Sequence, residues 1–184
     1  MENKLDYSDK ITEPFAITTI ANFYDTVYNS FLWNEKTDDF DFSHYDLGIG
    51  LEVSVIITSN TQKVLSYQNS IRKDIKSIRG AKINSNGELS AWYGGSGFEL
   101  QKLIIDRISR KNSKAKRHLS DKITECQLCL CIDDGGWYQR EDEFEFLKTS
   151  KVVSEMIFSK LFIITSSLFL VYEKNRITSC NRKL

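Results

Sequence analysis

Proline is almost missing from this chain: Pro14 is the only one in 184 residues. With 41% hydrophobic residues and so little proline, the chain does not have the composition of a disordered protein. Histidine is nearly as scarce. His44 and His118 are the only two, each without motif context, so no Ser-His-Asp arrangement can be assembled. A long apolar run is also lacking. The most apolar stretch, 161–172, is interrupted by Thr165, Ser166 and Ser167 and is shorter than the roughly 20 residues a membrane-spanning helix needs. Residues 1–10 are polar and charged, unlike a signal peptide. The expectation is a soluble, cytoplasmic protein with no membrane partner. Net charge is absent too: 25 basic residues balance 25 acidic ones, which argues neither for nor against nucleic acid. Gly94-Gly95-Ser96-Gly97 lacks the Gly-Lys-Ser/Thr ending of a phosphate-binding loop.

Four cysteines are present, at 126, 129, 131 and 180. The Cys126-x-x-Cys129-x-Cys131 cluster invites a metal reading, but zinc sites want a second ligand pair, which two isolated histidines do not supply. Residues 126–132 alternate like a buried strand, where cysteine behaves as a small hydrophobe. Reduced thiols fit a cytosolic protein.

The length suits one domain, 1–184. Within it we expect a frayed lead-in over 1–12, a core over 13–173 and a loose tail over 174–184. Phe15, Thr19, Phe23, Val27 and Phe31, with Ile20, Tyr24 and Leu32, fall at helical spacing. They predict a helix over about 14–33 with its aromatic stripe in the core and Pro14 in its first turn. Residues 60–77 also read as a helix, ended by Gly80. Residues 81–93 read as a hairpin turning at Asn86-Gly87. A helix over about 97–118 follows, with Leu100, Leu103, Ile104 and Ile108 on its apolar face and Ser96 and Glu99 placed as a capping box. Gln127–Ile132 reads as a strand. The segment 137–150 is acidic, aromatic and expected to be exposed, and 151–158 is expected to form a short helix. Leu161–Ile164 and Leu168–Tyr172 read as two strands across a Ser166-Ser167 turn. The order predicts a mixed β-sheet flanked by helices, in the α/β or α+β class.

The stretch from Asp39 to Thr58 organises the rest. Ile49–Thr58 is rich in β-branched residues and reads as a strand. The half before it is acidic and aromatic, with Asp39, Asp41 and Asp46 among Phe40, Phe42 and Tyr45, and Gly48 and Gly50 mark a bend or bulge between the halves. Glu52 therefore lies in the middle of an apolar strand, where an acid is costly unless paired or bound to a cation.

Asp41-Phe42 and Leu51-Glu52-Val53-Ser54 resemble the core of the PD-(D/E)XK, or restriction-endonuclease-like, nuclease superfamily. In that family a helix leads into a strand pair, the first strand carrying an Asp and the second an acidic-x-Lys tripeptide, and a helix and a further strand complete the core. The resemblance implies a restriction-endonuclease-like fold over roughly 14–172 and a Mg²⁺-dependent nuclease hydrolysing DNA phosphodiester bonds, in defence or repair. Asp41 and Glu52 would be catalytic and, with Asp46, metal ligands; Glu13 is a further acid. Ser54 stands where the family has its lysine, and Lys63 or Lys73 could substitute from a nearby helix. A relative that has lost catalysis, acting as an immunity, regulatory or nucleic-acid-binding or protein-binding module, fits the same departure.

The physics can be stated without the family. A hard cation such as Mg²⁺ wants two or more oxygen ligands, and bound between Asp41 and Glu52 it would acidify a water and polarise a phosphate. The bland alternative makes Asp39, Asp41 and Asp46 solvated turn residues and pairs Glu52 with an Arg. The basic run with Arg110, Lys111, Lys114, Lys116 and Arg117 could track a phosphate backbone, or be a solvated face near a helix C-terminus, where cations are favoured. The acidic segment 133–145 could bind a basic protein partner. A homodimer is compatible with all of these readings.

Overall fold

A computed structural model describes residues 9–34, 39–58, 78, 80–83, 85, 89–90, 97–133 and 140–182. Helix α1 (Asp9–Phe23) leads into a 3₁₀ turn (Thr26–Ser30) and strands β1 (Leu32–Trp33), β2 (Phe42–His44) and β3 (Ile49–Ile57). A small separate pair, β4 (Lys82–Ile83) and β5 (Leu89–Ser90), precedes α2 (Gly97–His118). The chain continues through β6 (Glu125–Asp133), a 3₁₀ turn (Glu141–Phe144), α3 (Phe146–Thr149), α4 (Lys151–Ser154), β7 (Leu161–Ile164), β8 (Leu168–Glu173) and β9 (Arg176–Asn181). Seven strands form one mixed sheet in the order β1-β2-β3-β6-β7-β8-β9. Neighbours are antiparallel except β3 with β6 and β6 with β7, which are parallel. The fold is therefore a mixed sheet with helices, the class expected.

Two apolar layers cover the sheet, and strand alternation assigns residues to each. Leu128, Leu130 and Ile132 of β6, Ile56 of β3, and Leu161 and Ile163 of β7 pack with Leu100, Ile104, Ile108 and Ala115 of α2. Leu51 and Val53 of β3, Cys129 and Cys131 of β6, and Phe162 and Phe169 pack with Ala16 and Ile20 of α1. Each fully buried Leu, Ile or Phe side chain contributes about 1.5–3 kcal/mol through burial. The same alternation puts Cys126 on the α2 side and Cys129 and Cys131 on the α1 side. All four cysteines are free thiols.

Several elements depart from the sequence reading. The helix expected over 14–33 stops at Phe23, because Asp25 is extended and its carboxylate accepts the Val27 N–H, capping a separate 3₁₀ turn. It also starts at Asp9, inside the expected lead-in, and Pro14 lies within it. Its aromatic stripe is only partly core: Ile20, Thr19 and Phe31 are buried, whereas Phe15, Phe23 and Tyr24 are at least 40% exposed. Phe15 stands about 100° around the helix from Ala16, at the edge of the buried face, and Phe23 is the last residue of the helix. The tail expected to be loose contains β9, paired to β8 from Leu168↔Asn181 to Glu173↔Arg176. The segment expected to be exposed is anchored, since Phe144 and Leu147 are fully buried. The helix expected over 60–77, the Asn86-Gly87 turn and Ser96 lie outside the described residues, although β4 and β5 pair as a hairpin requires. No helix among the described residues is long and apolar enough to cross a membrane.

Candidate active site

β3 sits between β2 and β6 and carries Glu52 at its centre, opposite Leu128. The two-residue period that sends Leu51 and Val53 toward α1 sends Glu52 and Ser54 toward α2. Glu52 is fully buried. The β2–β3 ladder ends at Phe42↔Leu51, and just past that end the Asp41 side chain takes over as acceptor: its Oδ2 accepts the Val53 N–H at 2.6 Å. Asp41 and Glu52 therefore flank the same short piece of β3. Two glycines make this possible. Gly48 holds φ +65° in the turn, and a Cβ on Gly50 would lie 2.3 Å from the Phe40 ring, which occupies that space.

Helix α2 supplies the counter-charge. Lys111 Nζ donates to Glu52 Oε2 at 2.5 Å. Lys114 Nζ and His118 Nδ1 stand 3.8 and 3.7 Å from Glu52 Oε1, too far for hydrogen bonds. Arg107 Nη1 donates to Ser54 Oγ at 2.5 Å. These four residues recur at i, i+4, i+7 and i+11, one face of a helix. Glu52 Oε1 and His118 Nδ1 are buried and have no hydrogen-bond partner.

The Asp41 carboxyl is pushed up from 3.8 to about 6. Burial is the main cause and the Glu52 charge the next; Lys111 and the Val53 N–H pull the other way, and Glu13 adds repulsion. Glu13, on α1, accepts a hydrogen bond from Trp33 Nε1 at 2.7 Å. A pair of neighbouring acids, one of them hard to ionise and the other with an unsatisfied buried oxygen, fits a divalent cation. Asp41 and Glu52 would hold it, with Glu13 at the edge of their field. Among the described residues no three His, Cys, Asp or Glu side chains cluster as a metal cage; two carboxylates plus waters is the set that suits Mg²⁺.

The other sequence-predicted residues divide. Asp46 is exposed in the turn over 45–48, where a solvated carboxylate needs no partner, so it does not join the buried pair as a third ligand. Lys63 and Lys73 lie outside the described residues. Arg110, Lys116 and Arg117 are exposed on α2 as expected, but Lys111 and Lys114 turn inward to Glu52 and leave that solvated face. The sequence reading assigned Glu52 either a metal ion or an Arg; the structure places Lys111 on it. A signal for this was present. The buried stripe of α2 runs Leu100, Ile104, Ile108, Ala115, and Lys111 falls on it between Ile108 and Ala115, where a lysine needs an acid. The acidic segment over 133–145 is described only in part; there Glu141, Asp142 and Glu145 are exposed around the Phe144 anchor.

Comparison with protein-family models, curated proteins and solved structures finds no match for the chain.

Proposed function

We propose that the chain is a metal-dependent nuclease hydrolysing DNA phosphodiester bonds, built on a restriction-endonuclease-like core. The observation that carries this reading is Glu52, fully buried on β3, with the partly buried Asp41 beside it directly before β2 and the Lys111 amine on Glu52. The element order supports it: a helix, a strand that begins directly after Asp41, a strand bearing Glu52, a helix and a parallel strand. Ser54 replaces the lysine that the resemblance leads one to expect on β3. Its place is served from α2, where Arg107 reaches Ser54 and Lys111 reaches Glu52.

Asp41 and Glu52 would bind the cation, which supplies an acidified water and a polarised phosphate. Lys111, held against Glu52, provides a fixed positive charge where negative charge develops on the phosphate. Arg107 fixes Ser54 and adds a second cation on the same side of the strand. Glu52 is fully buried, so the charges set against it act in a medium where they are strong.

The test is cleavage of labelled DNA with Mg²⁺ or Mn²⁺ by the wild type, Glu52→Gln and Lys111→Met, with folding checked by circular dichroism. Both variants should lose at least about a hundred-fold in rate, the scale of losing a key electrostatic group. Undiminished cleavage by folded Glu52→Gln removes the proposal.

A second reading has its own support. Lys111, Lys114 and His118 already surround Glu52, as they would in a nuclease-derived binding or immunity module whose acid is permanently neutralised. It is favoured if the wild type shows no metal-dependent cleavage and Glu52→Gln paired with Lys111→Met folds as stably as the wild type.

A further inference from the structure

An open pocket of about 510 Å³ is lined by Asp39, Tyr45, Ser120, Lys122 and Ile123. Its volume falls within the roughly 300–1,000 Å³ typical of small-ligand sites. It adjoins the carboxylate site through the chain itself. Asp39 is two residues before Asp41 and Ser120 two residues after His118, and two residues span at most about 7 Å. Phe40 bridges the two regions, its ring edge-on to His118 with centroids 5.5 Å apart.

The lining is chemically divided. Tyr45 is 45% exposed and brings an aromatic ring to the lining from the turn over 45–48. Ile123 is buried and gives an apolar floor. Asp39 is fixed in the wall by accepting the Phe40 N–H at 2.8 Å. Its carboxylate repels a phosphate and accepts an amino group from a base edge. Lys122 is exposed and supplies a cation among the described lining residues, suited to a phosphate. An aromatic ring, an apolar side chain, a carboxylate acceptor and an ammonium together match one nucleotide.

We propose that this pocket is a subsite for one nucleotide of the substrate strand next to the cleaved bond. Its base stacks on Tyr45 and offers its amino edge to Asp39, and its phosphate meets Lys122. This placement beside the cleaved bond rests on the nuclease reading; the nucleotide chemistry of the pocket does not.

The test is titration of deoxyadenosine monophosphate, with metal chelated by EDTA, followed by amide NMR shifts on the wild type, Tyr45→Ala, Tyr45→Phe and Lys122→Ala. Saturable shifts should centre on residues 39, 45 and 120–123. Tyr45→Ala should weaken binding about ten-fold, the scale of one lost base stack, while Tyr45→Phe keeps it. Lys122→Ala should weaken binding and reduce its salt dependence. Tyr45 is a surface turn residue, so both its variants are expected to fold, and the amide spectrum checks this directly. Absence of saturable shifts in the wild type, or equal affinity in Tyr45→Ala, overturns the subsite. If binding follows Tyr45 but cleavage is indifferent to Glu52→Gln, the nucleotide pocket stands and the nuclease reading fails. If cleavage follows Glu52 but nucleotide binding ignores Tyr45, the reverse holds.

Discussion

Asp41→Asn separates a functional acid from a structural one. An acid moved from 3.8 to about 6 costs about 3 kcal/mol more to ionise in the folded protein than in the unfolded chain. Asn keeps an oxygen for the Val53 N–H but loses the charge assistance of that bond, worth about 1 kcal/mol. The variant should therefore be more stable than the wild type by about 2 kcal/mol at about pH 7.5. The pH dependence follows from the direction of the shift. Because the folded value lies above the unfolded one, the folded state binds more protons between about 4 and 6, and wild-type stability falls as pH rises through that window and is flat above it. Below about pH 4, Asp41 is protonated in both states and the advantage of Asn disappears. Urea unfolding of both proteins at about pH 4 and about pH 7.5 measures the difference. A variant that is destabilised equally at both pH values would refute the reasoning, since it would mean that the carboxylate is held for its hydrogen bond and not against its charge. Added Mn²⁺ should stabilise the wild type and leave the variant unchanged if the intact acid pair is the proposed metal site.

Lys111→Met leaves Glu52 buried without its close partner. Full loss of a buried partner costs about 3–5 kcal/mol, and the nearby Lys114 and His118 should reduce this to about 2–3; adding Glu52→Gln should recover part of it in a double-mutant cycle by chemical denaturation. Gly50→Ala drives a Cβ into the buried Phe40 ring and should lose about 1–3 kcal/mol or more, read as a lower melting temperature, with Phe40→Leu as a rescuing second change. Tyr28→Phe removes the hydroxyl that donates to the fully buried Gln127 at 2.7 Å, and should cost about 1–3 kcal/mol by the same measurement with no effect on cleavage.

The sheet was legible where strands are apolar on both faces. Leu161–Ile164 and Leu168–Glu173 stand out as β-branched and aromatic runs because helices or turns cover both sides. Helix α2 was legible to its ends because apolar residues at helical spacing meet basic ones in the last turn. β9 was not: Arg176–Asn181 is an edge strand, mostly exposed, and its polar residues carry no periodic signal; only its pairing to β8 orders it. The break after Phe23 was hidden because apolar residues at helical spacing continue past Asp25, the residue whose side chain ends the helix. At the site, Glu52 could be named because an acid inside a β-branched run is costly, and Asp41 because Asp41-Phe42 resembles the first half of the nuclease motif. Their partners could not be reached by neighbouring sequence. Lys111 is 59 residues from Glu52, and only the crossover from β3 through α2 to the parallel β6 brings helix and strand together. Asp46 is close in sequence and remote in environment, exposed on the turn while Glu52 is enclosed.

The central claim is that Asp41 and Glu52 together hold a divalent cation. Calorimetric titration of Mn²⁺ into the wild type, Asp41→Asn and Glu52→Gln tests it most directly, with a DNA oligonucleotide present in a parallel series. The expected result is one saturable site in the wild type, lost in each variant while all three remain folded. Binding that persists undiminished in Glu52→Gln, or no binding by the wild type with or without DNA, would contradict it and leave Glu52 as the acid partner of Lys111.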